Sequence, residues 1–450
     1  MQGYYADHSP LTYGSRFLLP ALHIKLVLEM PTRYRIRKAL EALPTDLYDS
    51  FQVSINRIKC SGVRKAELGM RILMWVYLAN RPLKLAELQH ALAVEKSHTE
   101  FNADNVPSQQ VLLDSCLGLV VVDKETLTVR FVHYTLEEYF RNDPRAGFPN
   151  GHSYIAETCL TYVNFGNLRQ HCTTLDSLKE KMNEYVFLNY AALYWGNHVQ
   201  QQPSNKAITK LAKALVSHES GCPPCAIQVL YSELHRMWQS TATKFSGIHL
   251  TAYFGLSEYM GYFPKAHMNM KDDSNRTPLS WAAEYGHESI VQMLIETDDI
   301  AINASDKGRR TPLSWAAGTN QEAVVRLLIE CDDINIDAKD MDGRTPQLWA
   351  TEEGYEAIVQ LLKARRNVRP KHSVGPTRPS NSISSSPAAD QMAYWYCVRS
   401  SLHSITTHIS ESLTRLNLVQ RHCGYGPHDP ALHMGCIMCG WPLEAHLLIV

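Results

Sequence analysis

Charge of either sign is not in excess: 44 Lys and Arg face 45 Asp and Glu, a formal net charge of −1. That balance excludes a global electrostatic pull toward nucleic acid or an anionic membrane. Long hydrophobic runs are missing too. The most apolar early stretch, residues 17–30, is broken by Pro20, His23, Lys25 and Glu29, which leaves it too short and too charged to span a bilayer. The opening Met1-Gln-Gly-Tyr-Tyr has no basic n-region, so no secretory signal is read there. The 11 Cys are scattered without a framework, which fits reduced thiols rather than a disulfide scaffold. The expectation is a soluble protein of the cytoplasm, with the nucleus as the alternative, and no membrane partner.

Catalytic strings are absent as well. A P-loop needs Gly-x4-Gly-Lys and then Ser or Thr, so that backbone amides and a lysine wrap the phosphates. No such string occurs in the chain, nor does the Gly-x-Ser-x-Gly elbow of an acyl hydrolase. His133-Tyr-Thr-Leu-Glu-Glu offers an imidazole and two carboxylates, but it stands where a strand enters a helix, and capping accounts for it. Cys222-Pro-Pro-Cys225 has redox or zinc spacing without a second pair nearby. In the tail, Cys423, His428, His433, Cys436 and Cys439 place five nitrogen or sulfur donors within 17 residues. Four of them would close a tetrahedral zinc site, yet the spacing is that of no standard finger. No catalytic residue, cofactor, metal or small-molecule substrate is expected.

What the chain does have is a sentence repeated three times. Arg276-Thr-Pro-Leu-Ser-Trp-Ala-Ala, Arg310-Thr-Pro-Leu-Ser-Trp-Ala-Ala and Arg344-Thr-Pro-Gln-Leu-Trp-Ala-Thr start 34 residues apart, a period that marks a stacked repeat array. Thr277, Thr311 and Thr345 suit a helix N-cap, and the following Pro suits the first helical position. The short helix then ends at Gly286, Asn320 or Gly354, residue types that tolerate the left-handed conformation. A second helix carries Ile290, Val291 and Leu294, then Val324, Val325 and Leu328, then Ile358, Val359 and Leu362.

These residues resemble the ankyrin repeats, whose Thr-Pro-Leu-His-x-Ala-Ala core has about this period. Ser280 and Ser314 stand where that family usually has His. Gln347, Leu348 and Thr351 blur the third copy, as befits a terminal repeat facing water. A degenerate copy precedes the array at His249–Gly255 and Leu256–Met260, so residues 245–366 are read as one degenerate and three clear repeats. Arg276, Arg310 and Arg344 are expected to align as a column of guanidinium groups at the finger loops. That column is read as a protein-binding surface, because solenoids bind along an extended concave face and Arg is favoured at interfaces. Trp281, Trp315 and Trp349 are read mainly as packing between repeats, joining the same surface where exposed.

Upstream, residues 1–40 read as the helical remnant of another domain. Residues 41–145 hold three helices, the short strand Arg81-Pro-Leu-Lys-Leu, and two β-branched runs, 119–123 and 128–133, around the polar turn Lys124-Glu-Thr. Helices followed by a hairpin make a winged-helix topology. Residues 150–240 read as a helical extension in which Tyr185, Phe187, Tyr190, Tyr194 and Trp195 are core. Residues 367–389 turn to Pro, Ser and Thr, a disordered linker. In the unassigned tail, 390–450, only Leu402–Leu418 has a helical pattern. The third helix, about 107–117, carries no Lys or Arg, so DNA is not expected as a partner.

Leu40-Glu-Ala-Leu-Pro-Thr, Arg81-Pro-Leu, Glu87-Leu-Gln-His-Ala-Leu-Ala-Val, Cys116-Leu-Gly-Leu-Val-Val-Val-Asp and Val132-His-Tyr-Thr-Leu-Glu-Glu-Tyr-Phe resemble the fungal NACHT-type receptor-like proteins. There, a GPI inositol-deacylase-type winged helix lies between an NTPase module and ankyrin repeats; the domain's name implies no lipase. The resemblance implies a mainly α protein with a winged-helix domain, a helical extension and an ankyrin solenoid. Its role would be non-enzymatic recognition of another protein, without the NTPase. Two alternatives stand beside it. One is the regulatory fragment of an ATPase whose catalytic module lies upstream of Met1; the other is a winged-helix DNA-binding protein.

Overall fold

The computed structural model describes residues 19–368, apart from 21, 25–26, 28–29, 42, 45, 97, 143–146, 202–204, 218–223 and 236–243. Cys222, the Leu402–Leu418 pattern and the tail donors Cys423, His428, His433, Cys436 and Cys439 lie outside the described residues. Helix Arg33–Glu41 (α1) buries none of its residues. Leu47–Lys59 (α2) is capped by Asp46, whose carboxylate accepts the Asp49 N–H at 2.8 Å. Its apolar stripe, Phe51, Ile55 and Ile58, is buried, and α2 packs on Val63–Leu78 (α3).

Leu85–Ala93 (α4) and Gln109–Ser115 (α5) follow, α5 with Ser108 as its cap. Strands Val120–Val122 (β1) and Val129–Phe131 (β2) then pair antiparallel, Val120 opposite Phe131. The stretch before α4 supplies a third rung: Leu83 O accepts from Val129 N and Leu85 N donates to Leu127 O, each at 2.8 Å. Asp123 closes the hairpin turn by accepting the Glu125 and Thr126 N–H groups at 3.1 and 3.0 Å. The expected hairpin and third helix are present, the expected strand at residues 81–85 is reduced to a single bridge from Lys84 to Thr128, and this unit is a winged-helix domain. His133 Nδ1 accepts from Thr135 N at 3.3 Å and meets its hydroxyl at 2.9 Å, at the start of Thr135–Asn142 (α6). That is a capping role.

Gly151–Val163 (α7), Leu175–Glu184 (α8), Leu188–Gln201 (α9), Lys206–Val216 (α10) and Cys225–His235 (α11) form the extension. Helix α9 packs on α7 and α11. Tyr185, Phe187, Tyr190 and Trp195 are buried as expected, while Tyr194, expected in the core with them, is half-buried. The Trp75 ring of α3 meets Phe187 and Tyr190 at 5.6 and 5.9 Å, edge-on, so the winged helix and the extension share one core.

Four helix pairs follow: Gly247–Phe254 (α12) with Ser257–Met260 (α13), Pro278–Tyr285 (α14) with Glu288–Ile295 (α15), Pro312–Gly318 (α16) with Glu322–Glu330 (α17), and Pro346–Glu352 (α18) with Glu356–Val368 (α19). The last helix covers residues 367 and 368, where the linker was expected to begin. Helix α14 packs between α12 and α16, and α17 between α15 and α19. Among the described residues no helix is long and apolar enough to cross a membrane.

Candidate protein-interaction surface

Each clear repeat begins with the same closed loop. Asp272, Asp306 and Asp340 each accept the backbone N–H of the Arg four residues on, at 2.8 Å in all three copies. The return bonds, Asp N–H to the carbonyl of that Arg, are 2.9, 3.0 and 3.0 Å. The loop turns through a left-handed residue, Asn275, Arg309 or Gly343 (φ 61, 61 and 78°). Neighbouring loops are tied in register: Lys307 N donates to Ser274 O and Met341 N to Gly308 O, both at 3.0 Å.

The helices start and stop where expected. The Thr277, Thr311 and Thr345 hydroxyls each accept the N–H three residues on, at 3.3 Å. Gly286, Asn320 and Gly354 take φ of 74, 60 and 77°, the left-handed cap that L side chains resist.

The three arginines do form a column, but not an exposed one. The guanidinium carbon of Arg276 lies 3.7 Å from the ring centre of Trp281 and 4.2 Å from that of Trp315. Arg310 lies 3.7 Å from Trp315 and 4.0 Å from Trp349, and Arg344 lies 3.9 Å from Trp349. The order through the array is thus Trp281, Arg276, Trp315, Arg310, Trp349, Arg344, a ladder of alternating cations and aromatic faces. Arg276 is 0% exposed and Arg310 6%; Arg344 is half-buried. The guanidinium groups expected on the surface of the finger loops lie within the stack instead: Arg276 and Arg310 pack between repeats, and Arg344 lies on Trp349 of its own repeat. The flat, weakly hydrated guanidinium loses less on burial than an ammonium would, and gains the attraction of two ring faces. Trp281, Trp315 and Trp349 are buried between repeats, so they do not join an exposed binding surface.

The ladder is held at its edges. Each indole N–H donates to the second carboxylate oxygen of the same loop aspartate, at 3.0, 3.1 and 2.9 Å. Arg276 also pairs with Glu284 at 2.5 Å and donates to Ser280 O at 3.3 Å. Arg310 keeps the bond to Ser314 O at 3.3 Å, but Gly318 stands where the first repeat has Glu284. Burial pulls the Arg310 pKa down to about 10, with neighbouring Arg276 adding to the fall and Asp306, Glu284 and Asp340 opposing it. Burial likewise raises Asp306, against the pull of Arg276 and Arg310. The recurring Asp, Arg four residues on and Trp five beyond that were visible in the sequence as a spacing. Nothing in the spacing said that the Arg lies between successive rings.

With the ladder buried, the exposed parts of the finger loops are their tips. Lys307, Arg309, Lys339 and Met341 are exposed there, Met341 to 46%.

The family model described as ankyrin repeats (3 copies) matches residues 215–340 and 300–372. The stacked helix pairs are ankyrin repeats. The model described as GPI inositol-deacylase, winged helix domain matches residues 55–149, which contain α3 to α6 and the hairpin. A search of curated proteins found no match to the chain. The ankyrin architecture makes the array a protein-interaction element.

The degenerate ankyrin copy supplies what the clear ones lack. Ser246-Gly-Ile-His249 lies at the start of α12 as Thr277-Pro-Leu-Ser280 lies at the start of α14, so His249 takes the place the family usually gives to His. Its Nδ1 accepts from Ser246 N at 3.2 Å, and its Nε2 reaches Met270 O, at the approach to the next loop, at 3.0 Å. Burial holds this imidazole neutral by lowering its pKa. In the ankyrin copies with serine, Ser280 and Ser314 instead meet the Thr277 and Thr311 hydroxyls at 3.2 and 3.1 Å.

Proposed function

We propose that this chain is a non-enzymatic interaction protein of the fungal NACHT–ankyrin receptor-like kind, working in the cytoplasm or nucleus without nucleotide hydrolysis of its own. Its ankyrin array recognises another protein through the finger-loop tips. The observation that carries the reading is the contrast within each finger: a base pinned by aspartate, arginine and tryptophan, and a tip that presents Lys307, Arg309, Lys339 and Met341 to solvent. A rigid base makes binding cheap in ordering entropy, and basic tips favour an acidic partner surface. The winged helix is a spacer in this reading, because α5 offers Gln109, Gln110 and Asp114 but no cation to a phosphate backbone.

The test uses the full chain and a Lys307→Glu, Arg309→Glu, Lys339→Glu variant, each as bait under reversible cross-linking. A protein recovered by the first and lost by the second, with unchanged far-UV circular dichroism, supports the reading. Equal recovery by both, or turnover of ATP or of a phosphoinositide by the purified chain, defeats it.

A further inference from the structure

Two buried sulfurs lie almost within bonding range. Cys172 Sγ and Cys225 Sγ are 3.2 Å apart, 53 positions from each other along the chain, with exposures of 6% and 0%. Cys172 sits in the turn before α8 and Cys225 opens α11. The Cys172 backbone is held to a side chain of α11. Gln228 of α11 accepts the Cys172 N–H at 2.8 Å and donates to the Cys172 carbonyl at 2.9 Å. The Cys225 thiol donates to Gln170 O at 3.0 Å. Among the described residues no group of three His, Cys, Asp or Glu could hold a metal ion.

We propose that Cys172 and Cys225 are a modification site, a dithiol that closes to a disulfide by exchange with a small-molecule disulfide of the glutathione type. A disulfide bond is about 2.05 Å long, so the sulfurs need approach by only about 1.2 Å, and the Gln228 side chain holds the Cys172 backbone to α11 while they do. One protein thiol loses its proton and attacks a sulfur of oxidised glutathione; that S–S bond breaks and the first glutathione leaves, taking up a proton. The second protein thiol, deprotonated in turn, attacks the mixed disulfide and expels the second glutathione as a thiol. Two protein S–H bonds and one glutathione S–S bond become one protein S–S bond and two glutathione S–H bonds, with two electrons passing to glutathione.

Cys172 is the sulfur nearer solvent. Burial raises the Cys225 thiol well above its ordinary pKa, so exchange is slow and runs through local opening of the turn. The bond has a structural consequence. Helix α11 also carries Tyr231, whose hydroxyl meets Ser274 Oγ of the first clear repeat at 3.0 Å. Cross-linking therefore locks α8 and its turn to the helix that abuts the ankyrin array.

The experiment equilibrates the reduced full chain with a mixture of oxidised and reduced glutathione, traps free thiols with an alkylating reagent, and maps the peptides by mass spectrometry. The expected result is a peptide linked through Cys172 and Cys225, present in Cys222→Ser, absent in Cys172→Ser and in Cys225→Ser. The oxidised chain should melt about 5 °C higher than the reduced one, since the loop it closes is long, and neither single-serine variant should show that shift. A link that survives Cys225→Ser or vanishes in Cys222→Ser overturns the assignment. So does full alkylation of both thiols in a sample whose exposed Cys60 has become glutathionylated. A linked chain that melts lower than the reduced one refutes the claim that the fold is built to accept the bond.

Discussion

The guanidinium carbon of Arg310 lies 4.0 Å from the ring centre of Trp349, a residue of the next repeat. The same group lies 3.7 Å from Trp315 in its own repeat. One side chain therefore joins two ankyrin units. In a solenoid each unit touches only its neighbours, so stability is largely a sum of such contacts.

Arg310→Ala is expected to lower the array's stability by about 3 kcal/mol, because two buried ring faces lose their cation and Asp306 keeps a buried charge with less compensation. Arg310→Lys should recover less than half of that, since an ammonium cannot lie flat between two rings. Changing Arg276, Arg310 and Arg344 together to Glu should cost most of the array's helical circular dichroism. Urea unfolding followed at 222 nm checks all three, and a triple variant with the parent's midpoint would count against the ladder as a structural device.

Gly318 occupies the place of Glu284, the carboxylate that pairs with Arg276. A Cβ at Gly318 would stand 2.8 Å from Arg310 Nη2, the far end of a flexible side chain. Gly318→Glu should raise stability by about 1 kcal/mol through helix propensity together with a new charge-assisted bond. Gly318→Gln separates the two contributions, because it keeps the propensity and loses the charge. A lower urea midpoint for Gly318→Glu than for the parent would show that the position cannot admit a side chain.

Gly247, the first residue of α12, sits where a Cβ would fall 1.6 Å from the Val216 carbonyl oxygen. Backbone cannot yield as a side chain tip does. Gly247→Ala should therefore prise α10 from the degenerate repeat, at a cost of about 3 kcal/mol. Faster protease cleavage between residues 217 and 246, at an unchanged cleavage rate elsewhere, is the readout. An unaltered digestion pattern would contradict it.

Acid should loosen the helical extension. His198 Nδ1 lies 2.8 Å from His152 Nδ1, His198 Nε2 lies 2.9 Å from the Tyr190 hydroxyl, and that hydroxyl accepts from Asn80 N at 3.0 Å. Burial, with the neighbouring His152, lowers the His198 pKa to about 3; burial lowers His152 too. A histidine whose folded pKa is depressed takes up its proton more readily in the unfolded chain. Stability is thus full above the ordinary value of about 6.5 and falls as pH drops below it, by about 1.4 kcal/mol per pH unit for one group. The urea midpoint should be level between pH 7 and 8 and decline from pH 6.5 toward pH 4. His198→Gln should reduce that slope, and an equal slope in the variant would assign the acid sensitivity to other groups.

What the residues alone determined is everything governed by neighbours a few positions away. Thr before Pro, Gly or Asn at the helix end, and apolar residues every third or fourth place specify a helix pair locally, and a period of 34 repeats it. The β-branched runs around Lys124-Glu-Thr specify the hairpin in the same way. Only the tertiary structure decided what those elements bury. An arginine beside a turn reads as a surface group, because a lone cation is costly to dehydrate. Stacking sets Trp315 against one face of Arg276 and Trp349 against one face of Arg310, and that placement makes burial favourable. The meeting of Cys172 with Cys225, and of His152 with His198, likewise depends on how the turn before α8 packs on α11 and how α7 packs on α9, a relation between distant segments that no local pattern encodes.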